Sequence, residues 1–201
     1  MAFLASDAPG VSSARRDLFR SRVKLFRGEW PAVGMSWSAA RDYAAWHAER
    51  SGLDYRLPSE VEWEKAARGV DGRTFPWGER FDESFAHVRT GSSELLTPVA
   101  FRKQHIDRSV YGVMGMAGGV RDWCAERYEI VRPTTLIHES MPCYSTDGLG
   151  VDTSGAHVVR GGSFRLSGGE ARTFQRAGFD GSHGYPDVGF RLVRTLPPRP
   201  Q

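Results

Sequence analysis

The stretch Tyr55-Arg56-Leu57-Pro58-Ser59-Glu60-Val61-Glu62-Trp63-Glu64-Lys65-Ala66-Ala67-Arg68-Gly69 carries a helix with both of its boundary signals. Ser59 and Glu62 stand at capping-box spacing. The Ser59 hydroxyl can accept from the Glu62 amide while the Glu62 carboxylate reaches back to the Ser59 amide. Gly69 marks the stop, because glycine takes a left-handed conformation at no steric cost. The spacing predicts a helix from Ser59 to about Arg68.

Upstream, a second helix is predicted from about Ser38 to Arg50, stopped by Gly52, with Tyr43, Ala44 and Trp46 as its apolar bulk. An Arg-rich, weakly helical stretch, Ser13 to Arg27, precedes it. Downstream of Gly69 the texture changes to short extended pieces between turn signals: Thr97–Phe101, Trp123–Tyr128, His157–Arg160 and Val188–Arg194. Val188, Phe190 and Leu192 alternate with Gly189, Arg191 and Val193. Segments 129–156 and 164–187 read as long connections, which in a compact domain carry function or disorder. The division implied is an extension (1–30), one domain (31–196) and a tail (197–201).

The 23 glycines and 11 prolines among 201 residues fit a loop-rich fold with a substantial core. The 27 Lys and Arg residues are dispersed among 24 acids, and no basic run forms a nucleic-acid footprint. No stretch approaches the run of about 20 apolar residues that a membrane span needs. Met1–Gly10 lacks the basic start of a signal peptide, so the expected compartment is cytoplasmic. Cys124 and Cys143 make neither a disulfide framework nor a CxxC motif, and a bridge between them stays open. The six histidines, His47, His87, His105, His138, His157 and His183, show no i,i+4 pair of metal-ligand type. Neither a Gly-x-Ser-x-Gly elbow nor a phosphate-cradling loop is present.

Five words in order resemble the sulfatase-modifying-factor family, whose type member is the formylglycine-generating enzyme. They are the opening stretch, Phe75-Pro76-Trp77-Gly78, Tyr111-Gly112-Val113-Met114-Gly115-Met116-Ala117-Gly118-Gly119-Val120-Arg121-Asp122-Trp123, Arg160-Gly161-Gly162-Ser163-Phe164 and Val188-Gly189-Phe190-Arg191-Leu192-Val193. The resemblance implies an α+β, C-type-lectin-like fold: two helices on a small twisted antiparallel sheet, with long loops carrying the site. Gly161-Gly162 suits a close backbone approach. Trp63, Trp77 and Trp123 read as core and turn anchors.

In that family two cysteines after the Gly-Gly-Ser word bind copper, a soft ion that prefers thiolates. Their positions here hold Leu166 and Ala171. A sulfoxide-forming branch of the family uses a three-histidine iron site on an upstream domain, which has no counterpart here. The family's calcium word is altered at Gly119 and Asp122; Asp122 with backbone carbonyls keeps a weak calcium alternative, but the expectation is no metal and no cofactor. Ser163 matches a family active-site serine, and at this turn it reads as a backbone organiser.

The expectation is therefore a non-catalytic ligand-binding protein, not an enzyme, with a protein or small molecule as its unknown ligand. Its site residues are Phe164, Arg165, Leu166, Ser167, Phe179, Asp180, Ser182, His183 and Tyr185, aromatic and Arg anchors among small adaptable residues. The variable proteins of diversity-generating retroelements resemble this arrangement, with a variable segment between a Gly-Gly-Ser word and a closing Gly-Phe-Arg-Leu. Their adenine mutagenesis does not yield Lys, Glu, Gln, Met or Trp, and none occurs in Phe164–Gly169 or Gly178–Tyr185. An ordinary Gly-rich connection accounts for the same composition. A family oxidase and a regulatory domain related to kinase-attached homologues are the alternatives.

Overall fold

A computed structural model describes residues 31–89, 106–129 and 155–196. Residues 31–201 form a compact unit. The predicted pieces Ser13–Arg27 and Thr97–Phe101 lie outside the described residues.

Helix α1 spans Trp37–Ser51. Ser36 caps it, its hydroxyl accepting from the Ala39 amide at 3.2 Å, and Gly52 stops it in the left-handed region. The two-residue strand β1, Tyr55–Arg56, leads into helix α2, Glu60–Arg68. Its capping box is complete: Glu62 N–H donates to Ser59 Oγ at 3.2 Å, and Ser59 N–H donates to Glu62 Oε2 at 2.8 Å. The Arg56 guanidinium grips the same carboxylate with two bonds of 2.7 Å, and with the Ser59 amide holds its pKa down to about 2. Gly69 ends α2 with positive φ, but its ψ of −148° leaves the helix in an extended direction rather than the left-handed helical one.

Strands β2 (Arg121–Arg127), β3 (Ala156–Arg160), β4 (Arg176–Asp180) and β5 (Val188–Gly189) form one sheet in the order β4-β3-β2-β5. The expected antiparallel sheet needs one correction: β5 lies parallel to β2. The expected strand Val188–Arg194 is split as well. After β5 the chain turns Phe190 and Leu192 onto the core and Arg191 towards Asp122, then β6 (Val193–Arg194) pairs with β1 in a second sheet. Strand β4 falls inside what reads as a long connection. Its sequence, Arg-Ala-Gly-Phe-Asp, has no clean alternation and is held by five-residue pairing with β3. The Tyr128 ring lies directly over Gly178, where any Cβ would collide with it.

The sheet is covered on both faces. Trp123 and Val159 pack with Ala40 of α1, Leu57 and Val188, while Cys124 and Val158 pack with Trp63 and Ala67 of α2. Adjacent residues of one strand thus serve opposite layers, as the two-residue period requires. Trp63 and Trp123 are buried anchors whose indoles donate to Asp122 Oδ2 at 2.8 Å and to the Met35 carbonyl at 3.0 Å. Trp77 is half-buried, stacked on Phe75, with its indole donating to the Arg80 carbonyl at 2.9 Å. At Gly162 the backbone passes so close to the Ala117 carbonyl that no side chain fits.

Candidate functional site

The segment after β3 begins with Ser163, fully buried. Its hydroxyl donates to Asp187 Oδ2 at 2.7 Å and accepts from the Arg165 amide at 3.3 Å, so the side chain ties two distant turns together. Phe164 corrects the sequence expectation: it is 3% exposed, beside His87, and its ring faces the interior rather than a ligand. Arg165 is exposed, and Leu166 is half-buried with its carbonyl accepting from the Arg89 amide at 2.8 Å. Ser167 starts the short 3-10 turn Gly168–Glu170; its amide donates to Glu170 Oε2 at 2.9 Å.

The two thiolate positions of the family's copper centre do not fit copper here. Leu166 and Ala171 offer no ligand atom, and Ala171 is sealed among Phe75, Ala86, Val88 and Ala117. Cys124 sits in a different cluster, beneath α2, where burial pushes its thiol well above the usual range. Cys143 lies outside the described residues.

The second expected group begins on β4. Phe179 packs against Tyr185 at 4.6 Å between ring centroids, and Tyr185 lies 6.1 Å from Trp123. Beyond them the chain makes an exposed turn. Asp180 Oδ1 accepts from the Ser182 amide at 2.8 Å, and Oδ2 lies 3.0 Å from His183 Nδ1. Ser182 Oγ lies 2.8 Å from that same Nδ1. A nucleophilic triad needs its serine and its carboxylate on opposite ring nitrogens. Here both meet one nitrogen, so the cluster is a turn-stabilising network. Its bonds hold the Asp180 carboxyl below the ordinary range. Gly181 leaves room for His157 and Gly184 for the backbone of Gly34, which fixes the turn on the core.

Two residues connect these groups that sequence reasoning did not place in the site. Arg121 donates to Asp187 Oδ2 at 2.8 Å and stacks its guanidinium 4.4 Å from the centre of the Phe179 ring. Ser163, Asp187, Arg121, Phe179 and Tyr185 therefore form one continuous chain of contacts. The signal for Arg121 was its place in the altered Gly-Gly-Val-Arg-Asp-Trp word; Asp187 had none. The neighbouring Asp122 is 4% exposed and accepts from Arg191 Nε at 2.6 Å and from the Trp63 indole. Arg191 also donates to the Met114 and Gly115 carbonyls at 3.3 and 3.1 Å. A fixed cation therefore already compensates that carboxylate.

Residues 10–196 match the profile of the sulfatase-modifying factor enzyme 1-like domain. The chain belongs to this family. It is 33% identical over 167 residues to serine/threonine-protein kinase Pkn1 of Chlamydia trachomatis serovar L2, covering 83% of this chain and 24% of that one. It is 31% identical over 150 residues to the formylglycine-generating enzyme of Streptomyces coelicolor, with coverage of 69% and 43%. Over 113 residues it is 34% identical to inactive C-alpha-formylglycine-generating enzyme 2 of Bos taurus, with coverage of 50% and 34%. The family thus includes both a named enzyme and a named inactive member, and this chain spans less than half the length of each of the three relatives. Treponema denticola variable protein 1 shares the fold, with a TM-score of 0.63 at 18% identity over 94% of this chain and 75% of that one. No described helix is long and apolar enough to cross a membrane.

Proposed function

We propose that this chain is a non-catalytic recognition domain that binds a protein or small-molecule ligand on the face carrying Arg165, Leu166, Arg121, Phe179, Asp180, Ser182, His183 and Tyr185. The observation that carries this reading is the state of the two family cysteine positions. One is Leu166 and the other is Ala171, closed into an apolar cluster, so the ligand set for copper is absent. In a separate cluster, the half-buried Phe179 and Tyr185 rings, the stacked Arg121 guanidinium and the exposed Asp180, Ser182 and His183 have the composition of an adaptable binding surface, and Asp187 links Arg121 to Ser163 in the segment after β3. Phe164 supports the segment from within, and the half-buried Ser167 holds its turn through Glu170. No calcium is proposed at Asp122, because Arg191 already neutralises it.

The fold shared with Treponema denticola variable protein 1 supports a variable surface on this scaffold. Variation would fall on the outward Arg165, Leu166, Asp180, Ser182 and His183, while Gly178, Gly181 and Gly184 stay fixed by close packing. Sequencing the locus tests this version. A reverse-transcriptase gene and a near-identical template repeat are expected beside the gene, and their absence overturns it. The non-catalytic reading is tested by incubating the protein with Cu(I), oxygen and a Cys-containing sulfatase peptide. An unchanged peptide mass is expected; the mass of a thiol converted to an aldehyde overturns it. The likeness to part of Pkn1 favours a second reading, a partner-docking module within a longer protein.

A further inference from the structure

Asp187 joins segments that are far apart in sequence, Ser163 standing 24 residues away and Arg121 66. Its carboxylate Oδ2 accepts from Ser163 Oγ at 2.7 Å and from Arg121 Nη2 at 2.8 Å, while its carbonyl accepts from the Arg121 amide at 3.0 Å. Ser163 heads the segment after β3, Arg121 opens β2, and Asp187 follows the turn that carries Ser182, His183 and Tyr185. The Asp187 side chain is only 7% exposed, too enclosed to serve as the main contact for a ligand.

Arg121 depends on that carboxylate. Its side chain is 11% exposed, and its Nε is enclosed without a hydrogen-bond partner among the described residues. Asp187 supplies its ion pair and Phe179 its packing, with the guanidinium 4.4 Å from the centre of the ring. A planar guanidinium held at its edge by a carboxylate and on its flat side by a ring has a fixed orientation. Phe179 lies in turn 4.6 Å from the Tyr185 ring and 6.5 Å from Trp123. Taking the charge from Asp187 leaves Arg121 enclosed and uncompensated, so that the guanidinium must leave the ring to reach water.

We infer that Asp187 is the positioning residue of the proposed ligand face: through Arg121 it sets the Phe179–Tyr185 pair, and through Ser163 it ties that pair to Arg165 and Leu166. This role rests on the ligand-face reading above and adds that the two halves of the face respond together. The probes are peptides selected from a random phage-displayed library on the full chain, kept only where Tyr185→Ala removes their binding. Asp187→Asn should weaken these peptides about tenfold. It should also move the Phe179 and Tyr185 ring resonances of the free protein. Arg121→Lys keeps the charge and gives up the flat stacking group, so a similar loss is expected. The two substitutions together should cost little more than either alone, because each breaks the same link. Ser163→Ala leaves the ion pair in place and should give a smaller loss, with a smaller shift of the same rings. A merely structural Asp187 would lower the unfolding midpoint with peptide affinity and ring resonances unchanged, or its loss would add fully to that of Arg121→Lys; either result overturns the role. Where Asp187→Asn does not fold, Ser163→Ala and Arg121→Lys decide, non-additive losses upholding the link and additive ones overturning it. A library that yields no binders, or only peptides indifferent to Tyr185→Ala, overturns the ligand-face reading itself and this role with it.

Discussion

On the α2 side of β3, polar groups are enclosed and partnered across the sequence; in the turn after β4 they are exposed and partnered within three residues. Arg160, with a side chain 2% exposed, reaches Glu64 at 2.5 Å, Glu60 at 3.4 Å and the Phe174 carbonyl at 3.0 Å. Removing one partner of such a buried set leaves an uncompensated charge. The Asp180–Ser182–His183 network faces water, which can replace each of its bonds, so its side chains can change without unfolding the domain. One region specifies the fold, and the other is free to specify a ligand.

The comparison is sharpened most by Trp63→Ala. Emptying that buried site should cost about 3–5 kcal/mol in urea unfolding; a cost similar to that of the turn substitutions would break the distinction. Gly178→Ala should cost about 1–3 kcal/mol by displacing the Tyr128 ring, and loss of the Tyr128 near-ultraviolet signal would accompany it. Strand β4 belongs to the scaffold in its middle and to the proposed ligand face only at its end.

Asp107 gives a pH-dependent test on the scaffold side. Burial pushes its carboxyl up to about 6 from the usual 3.8, against the pull of three backbone amides and Arg191. Folding therefore favours the protonated form. Its contribution is complete below the ordinary value and is lost as pH rises through 6. The unfolding free energy of the native protein should fall, relative to that of Asp107→Asn, by about 1–3 kcal/mol between pH 4 and pH 7. A constant difference across that range would show that the carboxyl is not shifted. The smallest effect belongs to the double substitution Ser182→Ala, His183→Ala. Stability should stay within about 0.5 kcal/mol of the native protein while ligand affinity changes.

Both helices, the Ser59 capping box and the Gly52 stop were legible in the sequence, because these are contacts among residues three or four apart; the Ser36 cap and the extended exit at Gly69 were not. The family words carried the fold class for a similar reason: Gly162 and the buried tryptophans are required by close packing and leave few alternatives. Strand β4 was not legible, since Arg-Ala-Gly-Phe-Asp becomes a strand only through pairing with β3 and through the Tyr128 ring that covers Gly178. The parallel placement of β5 and the split at Phe190–Leu192 likewise depend on where the core draws those side chains. Within the site, the sequence supplied the residue types and the missing copper ligands, but not which side chains face outward. It grouped Phe164 with Tyr185, whereas the tertiary structure turned Phe164 inward, stacked Arg121 on Phe179 and placed the buried Asp187 beneath them as the link to Ser163. Local hydrogen bonds are written in neighbouring residues, whereas burial and long-range ion pairs exist only once distant segments have met.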